Sequence, residues 1–436
     1  MTTYLKKVSE PLSARENDVR HLVKEMLDGI RNHREAAVAE LAEKFDGWKG
    51  EFILRRDEID ALIATVSQRA KDDIRFVYEQ AYGFAVKQRE SLQEFETELT
   101  PGVTLGQRLI PCQCAGCYVP GGRFAHAASA VMSVATAKAA GVPFIVACTP
   151  PRGERINATV AYALSLSGAD VIMALGGVQA IGTMAFGLFT GRSADIIVGP
   201  GNAFVAEAKR MLYGKIGIDV FAGPTESLVI ADKTADAMIV AVDLVSQCEH
   251  GYDSPVWLLT DSKALGETVI DIMPKVIADL PNPTVAASSW ESYGEVVLCA
   301  DREDMVRVSD DYAAEHVQVI AGDLDWYLAN LKNYGSLFLG EGCTVAYGDK
   351  TSGTNHILPT KKAARYSGGL NVGKFIKTLT YQRLTKEANR TIGAVASRVS
   401  RYEGMEGHAR AADIRLRKYF PGEAFDFEVY DQKSYV

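Results

Sequence analysis

Two long amphipathic stretches open the chain. In VRHLVKEMLDGIRNHREAAVAELAEKF (residues 19–45) and KDDIRFVYEQAYGFAVKQRESLQEF (71–95), apolar residues recur three and four positions apart, which predicts helices with one buried stripe. Around Tyr118 the pattern changes. Short apolar runs, PFIVACT (143–149), ADVIMAL (169–175), ADIIVGPG (194–201), IDVFAG (218–223) and SLVIAD (227–232), alternate with helix-length stretches. Such runs suit strands covered on both faces, so the order predicts parallel strands joined by crossover helices. The alternation resumes with a helix, AMIVAVDLV (237–245), followed by the runs PVWLLTD (255–261), EVVLCA (295–300) and VQVIAG (317–322), which predict a second α/β unit. From about residue 368 the chain turns basic and helical. It ends in an aromatic tail, YFPGEAFDFEVYDQKSYV (419–436), suited to packing on a partner.

Composition narrows the picture. The 436 residues allow two or three domains, and 47% hydrophobic with 23% charged residues is ordinary for a globular protein. A formal charge of -8 argues against a nucleic-acid surface, which needs clustered cations, and favours a small-molecule partner. The opening MTTYLKKVSE lacks the apolar core of a signal peptide. The longest apolar region, residues 127–149, is broken by Lys138, Gly141 and Pro143, so no membrane span is expected and a cytoplasmic enzyme is. Seven cysteines in so long a chain do not suggest a disulfide framework. Cys112, Cys114 and Cys117 form C-x-C-x-x-C, which could hold a soft metal, yet no second Cys or His cluster follows at zinc-module spacing.

Candidate chemistry concentrates at the ends of these elements. Gln247 and His250 lie three residues apart where the apolar helix closes, so they share one face and could converge on a divalent metal that accepts N and O ligands. Three glycine-bearing turns, YVPGG (118–122), LGGVQAIG (175–182) and VGPGNAF (198–204), stand where strands hand over to helices. Each is compatible with an ordinary turn, and together they allow a nucleotide cleft, although none is the G-x-G-x-x-G fingerprint. Glu315 and His316 form an acid–imidazole pair at a helix-to-strand corner, able to move a proton or merely to end a helix. Asp349 and His356 share a polar loop, and Glu403 and His408 flank two glycines in the basic region. Gln247, His250, Asp349 and His408 would combine two nitrogens with two oxygens, a set suited to zinc or manganese.

The segments GCYVPGGR, GGVQAI, VGPGNAFVAEAKR, AGPTESLVIAD, SQCEHG, EH, GDKTSGTNHILPT and EGMEGH occur in the order found in the histidinol dehydrogenase family, which the chain resembles over nearly its whole length. That resemblance implies zinc ligands at Gln247, His250, Asp349 and His408, and acid–base residues at Glu315 and His316. It implies NAD contacts at Tyr118, Gln179 and Asn202. Substrate contacts are implied at Thr225, Gln247, His250, His316, Asp349, His356, Glu403 and His408. It also implies an α/β fold of two incomplete Rossmann-like, doubly wound domains plus a helical carboxyl-terminal segment that reaches the partner subunit, in a homodimer with shared active sites. The expected division is an arm at 1–20, a first α/β domain of 21–117 with 227–367 bearing the metal and acid–base residues, an NAD-side domain at 118–226, and a dimerisation segment at 368–436.

After GTNHILPT the chain reads KKAARYSGGLNVGKF, which places Lys361, Lys362 and Arg365 beside the loop of Asp349 and His356, and Arg123 follows YVPGG. This pattern resembles the branch of the family that oxidises 2,3-dihydroxypropane-1-sulfonate to sulfolactate, with L-histidinol as the alternative substrate.

Overall fold

A computed structural model of the chain describes residues 3–8, 16–121, 125–220 and 223–426. Arg123 and residues 427–436 of the aromatic tail lie outside that set. The strands are β1 Thr3–Lys6, β2 Phe95–Thr100, β3 Val103–Pro111, β4 Ala115–Tyr118, β5 Ile145–Thr149, β6 Val171–Ala174, β7 Ile196–Val198, β8 Gly217–Ile218, β9 Ser227–Ala231, β10 Val256–Thr260, β11 Gly294–Leu298, β12 His316–Ile320, β13 Ser336–Leu339 and β14 Ile376–Leu384. The helices are α1 Glu16–Asp46, α2 Arg56–Ala64, α3 Gln68–Ser91, α4 Ala127–Ala139, α5 Ala158–Ser167, α6 Gly177–Phe186, α7 Ala203–Leu212, α8 Ala237–Cys248, α9 Lys263–Ala278, α10 Thr284–Tyr293, α11 Arg302–Tyr312, α12 Leu324–Asn330, α13 Val345–Lys350, α14 Asn389–Tyr402 and α15 Glu406–Tyr419.

Met1–Ser91 and Pro111–Phe375 form one unit, built on two sheets. A five-stranded sheet runs β6-β5-β4-β7-β8 and is parallel throughout. A six-stranded sheet runs β1-β11-β10-β9-β12-β13, parallel except for β1, which joins β11 antiparallel at the edge. In each, the chain moves outward from a first strand (β4 or β9) and then returns to that strand's other side. The strand order therefore reverses between β4 and β7 and between β9 and β12, the points where α/β sheets open a crevice. Their strands read as unbroken apolar runs because helices cover both faces. Val229, Leu258 and Val296 pack under α8, α9 and α10, and Leu228, Leu259 and Val317 pack with α11 and α12 on the opposite face.

The amphipathic amino-terminal helices depart from the expected division. The stripe Val23, Leu27, Ile30, Val38 and Ala42 of α1 packs into one cluster with Leu175, Val178, Ile181 and Val205, against α6 and α7, while α2 and α3 pack on α4 and α5. Residues 21–91 therefore cover the five-stranded sheet rather than joining 227–367. An apolar stripe carries no address, so the better-fitting groove between helices decides its partner. α1 is broken at Arg34, whose φ is +55°.

Leu92–Ile110 and Ile376–Val436 form a second unit, in which β14, β3 and β2 make a three-stranded sheet and α14 packs on α15. Two expectations fail here. The stretch 92–110 leaves the domain assigned to it, and the region after 368 opens with a strand before its helices. In β14 polar and apolar residues alternate in IKTLTYQRL, the period of a strand with one face open. Among the described residues no helix is long and apolar enough to cross a membrane.

Candidate active site

The carboxyl edge of the five-stranded sheet opens into a cavity of about 880 Å³ lined by Tyr118, Thr149, Gln179 and Asn202, each at or just beyond a strand end. Tyr118 ends β4, and its hydroxyl accepts the Gly177 N–H at 3.2 Å. Burial pushes that phenol up to about 12. Gln179 is buried in the first turn of α6 and donates to Asp46 Oδ2 at 3.0 Å. Asn202 caps α7, its side-chain oxygen accepting from the N–H groups of Phe204 and Val205, both at 3.1 Å. Gly199 makes the switch point possible: with φ +122° it lies against Tyr118, and a Cβ there would stand 2.0 Å from the Tyr118 carbonyl oxygen. Helix amino termini converge on this edge, which suits the phosphates of a dinucleotide.

A second cavity, of about 800 Å³, shares Pro120, Ala125, His126 and Asn202 with the first and adds the amino edge of the six-stranded sheet. Thr225 precedes β9 and lines this cavity, and Gln247 and His250 enter it from the end of α8. His316 opens β12, and Asp349 comes from α13. That helix is held in place by α8: Thr344, its amino cap, donates to Asp243 Oδ1 at 2.8 Å, and Gln318 donates to the other Asp243 oxygen at 2.7 Å.

The acid–base residues form a buried row. His316 is 2% exposed; its Nδ1–H donates to the Glu226 carbonyl at 3.0 Å, which leaves Nε2 as the free nitrogen, 3.5 Å from Asp349 Oδ1. Glu315 Oε2 lies 3.6 Å from His316 Nδ1 and accepts the Glu226 N–H at 3.0 Å. Burial raises the Glu315 carboxyl above its ordinary range. Burial also works against charge on His316, but the Glu315 and Asp349 carboxylates outweigh it and hold the imidazole above its usual value. For Asp349 burial acts upward, and the neighbouring His316 imidazole overcomes it, so the carboxyl stays well below the usual carboxylate range.

His250 Nε2 stands 3.9 Å from Asp349 Oδ2. Desolvation lowers its pKa to about 4, although 37% of the side chain is open. His356 lines the cavity with both ring nitrogens engaged: Nδ1 donates to the Asp349 carbonyl and Nε2 meets the Ser129 hydroxyl, each at 2.8 Å. It ties α4 to the end of α13. Glu403 and His408 are exposed residues of the second unit, at the end of α14 and the start of α15.

The proposed cations fall elsewhere than expected. Lys361, Lys362 and Arg365 sit in an exposed turn and do not line the cavity; both lysines take left-handed backbone angles, and the Lys361 N–H donates to Glu226 Oε1 at 2.7 Å. The cation that does line it is Lys350. Sequence reading also missed Asp46, His126 and Glu226. Glu226 directly precedes β9 beside Thr225, a position that an acid-before-strand search would have flagged, and burial raises its carboxyl to about 7. Asp46 lies 133 residues from Gln179 and had no local signal. Cys112 and Cys114 are buried just before β4 and Cys117 is buried within it, and among the described residues they form no metal-holding group.

Among the described residues, no three His, Cys, Asp or Glu side chains are gathered into a ready metal cage. The donor chemistry nevertheless fits zinc. The Gln247 side-chain oxygen is buried without a hydrogen-bond partner, and it lines the cavity with the His250 nitrogen and the Asp349 carboxylate. An amide oxygen, an imidazole and a carboxylate on one cavity suit a borderline divalent ion.

Comparison with known proteins accords with this arrangement. The family model described as histidinol dehydrogenase matches residues 11–416. The chain is 54% identical over 426 residues to sulfopropanediol 3-dehydrogenase of Ruegeria pomeroyi, covering 97% of this chain and 98% of that one. It is 55% identical over 421 residues to a histidinol dehydrogenase homolog of Pelagibacter ubique, covering 96% and 98%. The crystal structure of histidinol dehydrogenase from Elizabethkingia anophelis superposes with a TM-score of 0.86 at 32% identity, over 94% of this chain and 97% of that one. A doubly wound pair of sheets, an acid–imidazole row at their junction and these matches lead to one conclusion: the chain belongs to the histidinol dehydrogenase family, NAD-dependent oxidoreductases that carry an alcohol through two oxidation steps.

Proposed function

We propose that this enzyme oxidises the primary alcohol of a small anionic polyol, 2,3-dihydroxypropane-1-sulfonate, to the carboxylate 3-sulfolactate, using NAD and zinc. The observation that carries the reaction type is the buried Glu315–His316–Asp349 row opening onto a cavity that adjoins the glycine-bearing crevice. The sulfonate reading draws on the 54% identity to a sulfopropanediol dehydrogenase. Gln247, His250 and Asp349, with His408, would hold zinc, which when bound orients the alcohol oxygen, while NAD beside Tyr118, Gln179 and Asn202 receives hydride.

The protein's own groups handle the protons. His316 in its neutral form accepts the hydroxyl proton at Nε2, since Nδ1 is committed to the Glu226 carbonyl. Asp349 stabilises the imidazolium that results. At the aldehyde stage Glu315 takes a proton from the water that adds to the carbonyl carbon, using Oε1 because Oε2 is held by the Glu226 N–H. The hydrate then gives its hydride to a second NAD and loses its hydroxyl protons, which leaves the carboxylate. Two copies share their sites in this reading, Glu403 and His408 serving the neighbouring copy.

The family model and the solved relative carry the name of histidinol dehydrogenase, so L-histidinol is the competing substrate. The test is NAD reduction by the purified enzyme with each alcohol. Turnover of the sulfonate at least tenfold above L-histidinol is expected; efficient use of L-histidinol with none of the sulfonate overturns the assignment.

A further inference from the structure

We propose that Lys350 seats the anionic end of the substrate and thereby sets the enzyme's preference for negatively charged alcohols. Asp73, Glu249, Asp253, Glu315 and Asp349 all line the same cavity, and Lys350 is the single Lys or Arg among its described lining residues. Such a wall repels an anion over most of its area, and among the described lining residues Lys350 is the charge that attracts one. Among the described residues no hydrogen bond or ion pair engages the Lys350 ammonium, which leaves its donors for a ligand.

Geometry agrees with the charge argument. Lys350 follows Asp349 on α13, and successive residues leave a helix roughly 100° apart. One side chain therefore addresses His316 while the next points along the cavity wall. Lys350 is exposed, and it lines the same cavity as His126, His250 and His356. α13 is pinned through Thr344 to Asp243 of α8, the helix that also delivers Gln247, so the spacing between the alcohol-handling groups and Lys350 is fixed by packed elements. The first turn of α4, with Ala127, Ala128 and Ser129, lines the same chamber and adds amide donors to it. An ammonium offers three rotatable donors and suits a tetrahedral sulfonate with three acceptor oxygens.

The inference rests on the dehydrogenase reading for the reaction and deepens it by naming what the substrate's charge meets. Lys350→Met and Lys350→Arg should be compared with wild type on the sulfonate and on the neutral propane-1,2-diol. Losing a charge-assisted hydrogen bond in Lys350→Met should raise KM for the sulfonate roughly ten- to a hundredfold with a smaller change in kcat, leave KM for the diol unmoved, and be largely rescued in Lys350→Arg. Methanesulfonate serves as a second probe, as a competitor against whichever alcohol is turned over; its inhibition should weaken to the same extent in Lys350→Met. Wild-type KM for the sulfonate and wild-type inhibition by methanesulfonate in Lys350→Met overturn the inference. If wild type instead oxidises only L-histidinol, loss of methanesulfonate inhibition in Lys350→Met still supports the anion site while the substrate reading falls.

Discussion

In the five-stranded sheet Tyr118, Gln179 and Asn202 follow the carboxyl ends of their strands, whereas in the six-stranded sheet Thr225 and Ser254 precede theirs and His316 opens its own. The two sheets share one strand order, yet each turns the opposite edge toward the chemistry. The difference has an electrostatic meaning. At a carboxyl edge the following helices present their amino termini, so α5, α6 and α7 aim partial positive charge at the cavity, as an anionic dinucleotide requires. At an amino edge the preceding helices present their carboxyl termini. There α8 ends at Gln247 and His250, and α11 ends just before Glu315, where partial negative charge favours a cation. One fold used in two directions thus offers neighbouring sites of opposite preference, and alcohol oxidation needs both.

The sharpest way to break this comparison is at the amino edge itself. His316→Ala should lower kcat by about 10²-fold or more, as expected for loss of general-base catalysis. Glu315→Gln should slow the aldehyde-to-acid half by a similar factor and the alcohol half much less, as read by supplying the aldehyde directly. Equal slowing of the two halves would remove the division of labour between the two residues.

Smaller but more diagnostic is a test of whether the edges are independent. His250→Ala should weaken zinc binding, measured by elemental analysis after competition with a chelator, by more than the roughly 10- to 100-fold that follows loss of an outer partner. NAD affinity measured by fluorescence titration should stay close to wild type. If two copies share their sites as proposed, mixing this variant with His408→Ala subunits should recover activity, because a hybrid dimer would hold one intact site; failure despite demonstrated subunit exchange would put His408 in its own chain's site.

The mildest effect is expected at the carboxyl edge. Gln179→Ala should raise KM for NAD roughly tenfold, the scale of one hydrogen-bonding group, with zinc content unchanged. Zinc lost in Gln179→Ala, or NAD binding lost in His250→Ala, would show that the two edges act as one site.

Much of this site was legible before any coordinates. The turn VGPGNAF announced a strand end, and Gly199 there proves to be required by the close approach of Tyr118. SQCEHG announced a helix ending in donor groups, and both side chains do enter the cavity. Lys361, Lys362 and Arg365 are not among the described lining residues, although the Lys361 side chain lies beside Gly223, which is, whereas Lys350, one residue from Asp349, lines the cavity while remaining exposed.

The sequence by itself determined the alternation of covered strands and helices, and with it two doubly wound sheets, since strand burial and helical period are written within a dozen neighbouring residues. Only the tertiary structure decided that α1 covers the five-stranded sheet, that the six-stranded sheet opens its cavity at its amino edge, and that Glu226 braces His316 across 90 residues of chain. Those outcomes depend on which helix grooves fit and on where crossovers return the chain. Contacts of that range leave no periodic trace in the residues that make them.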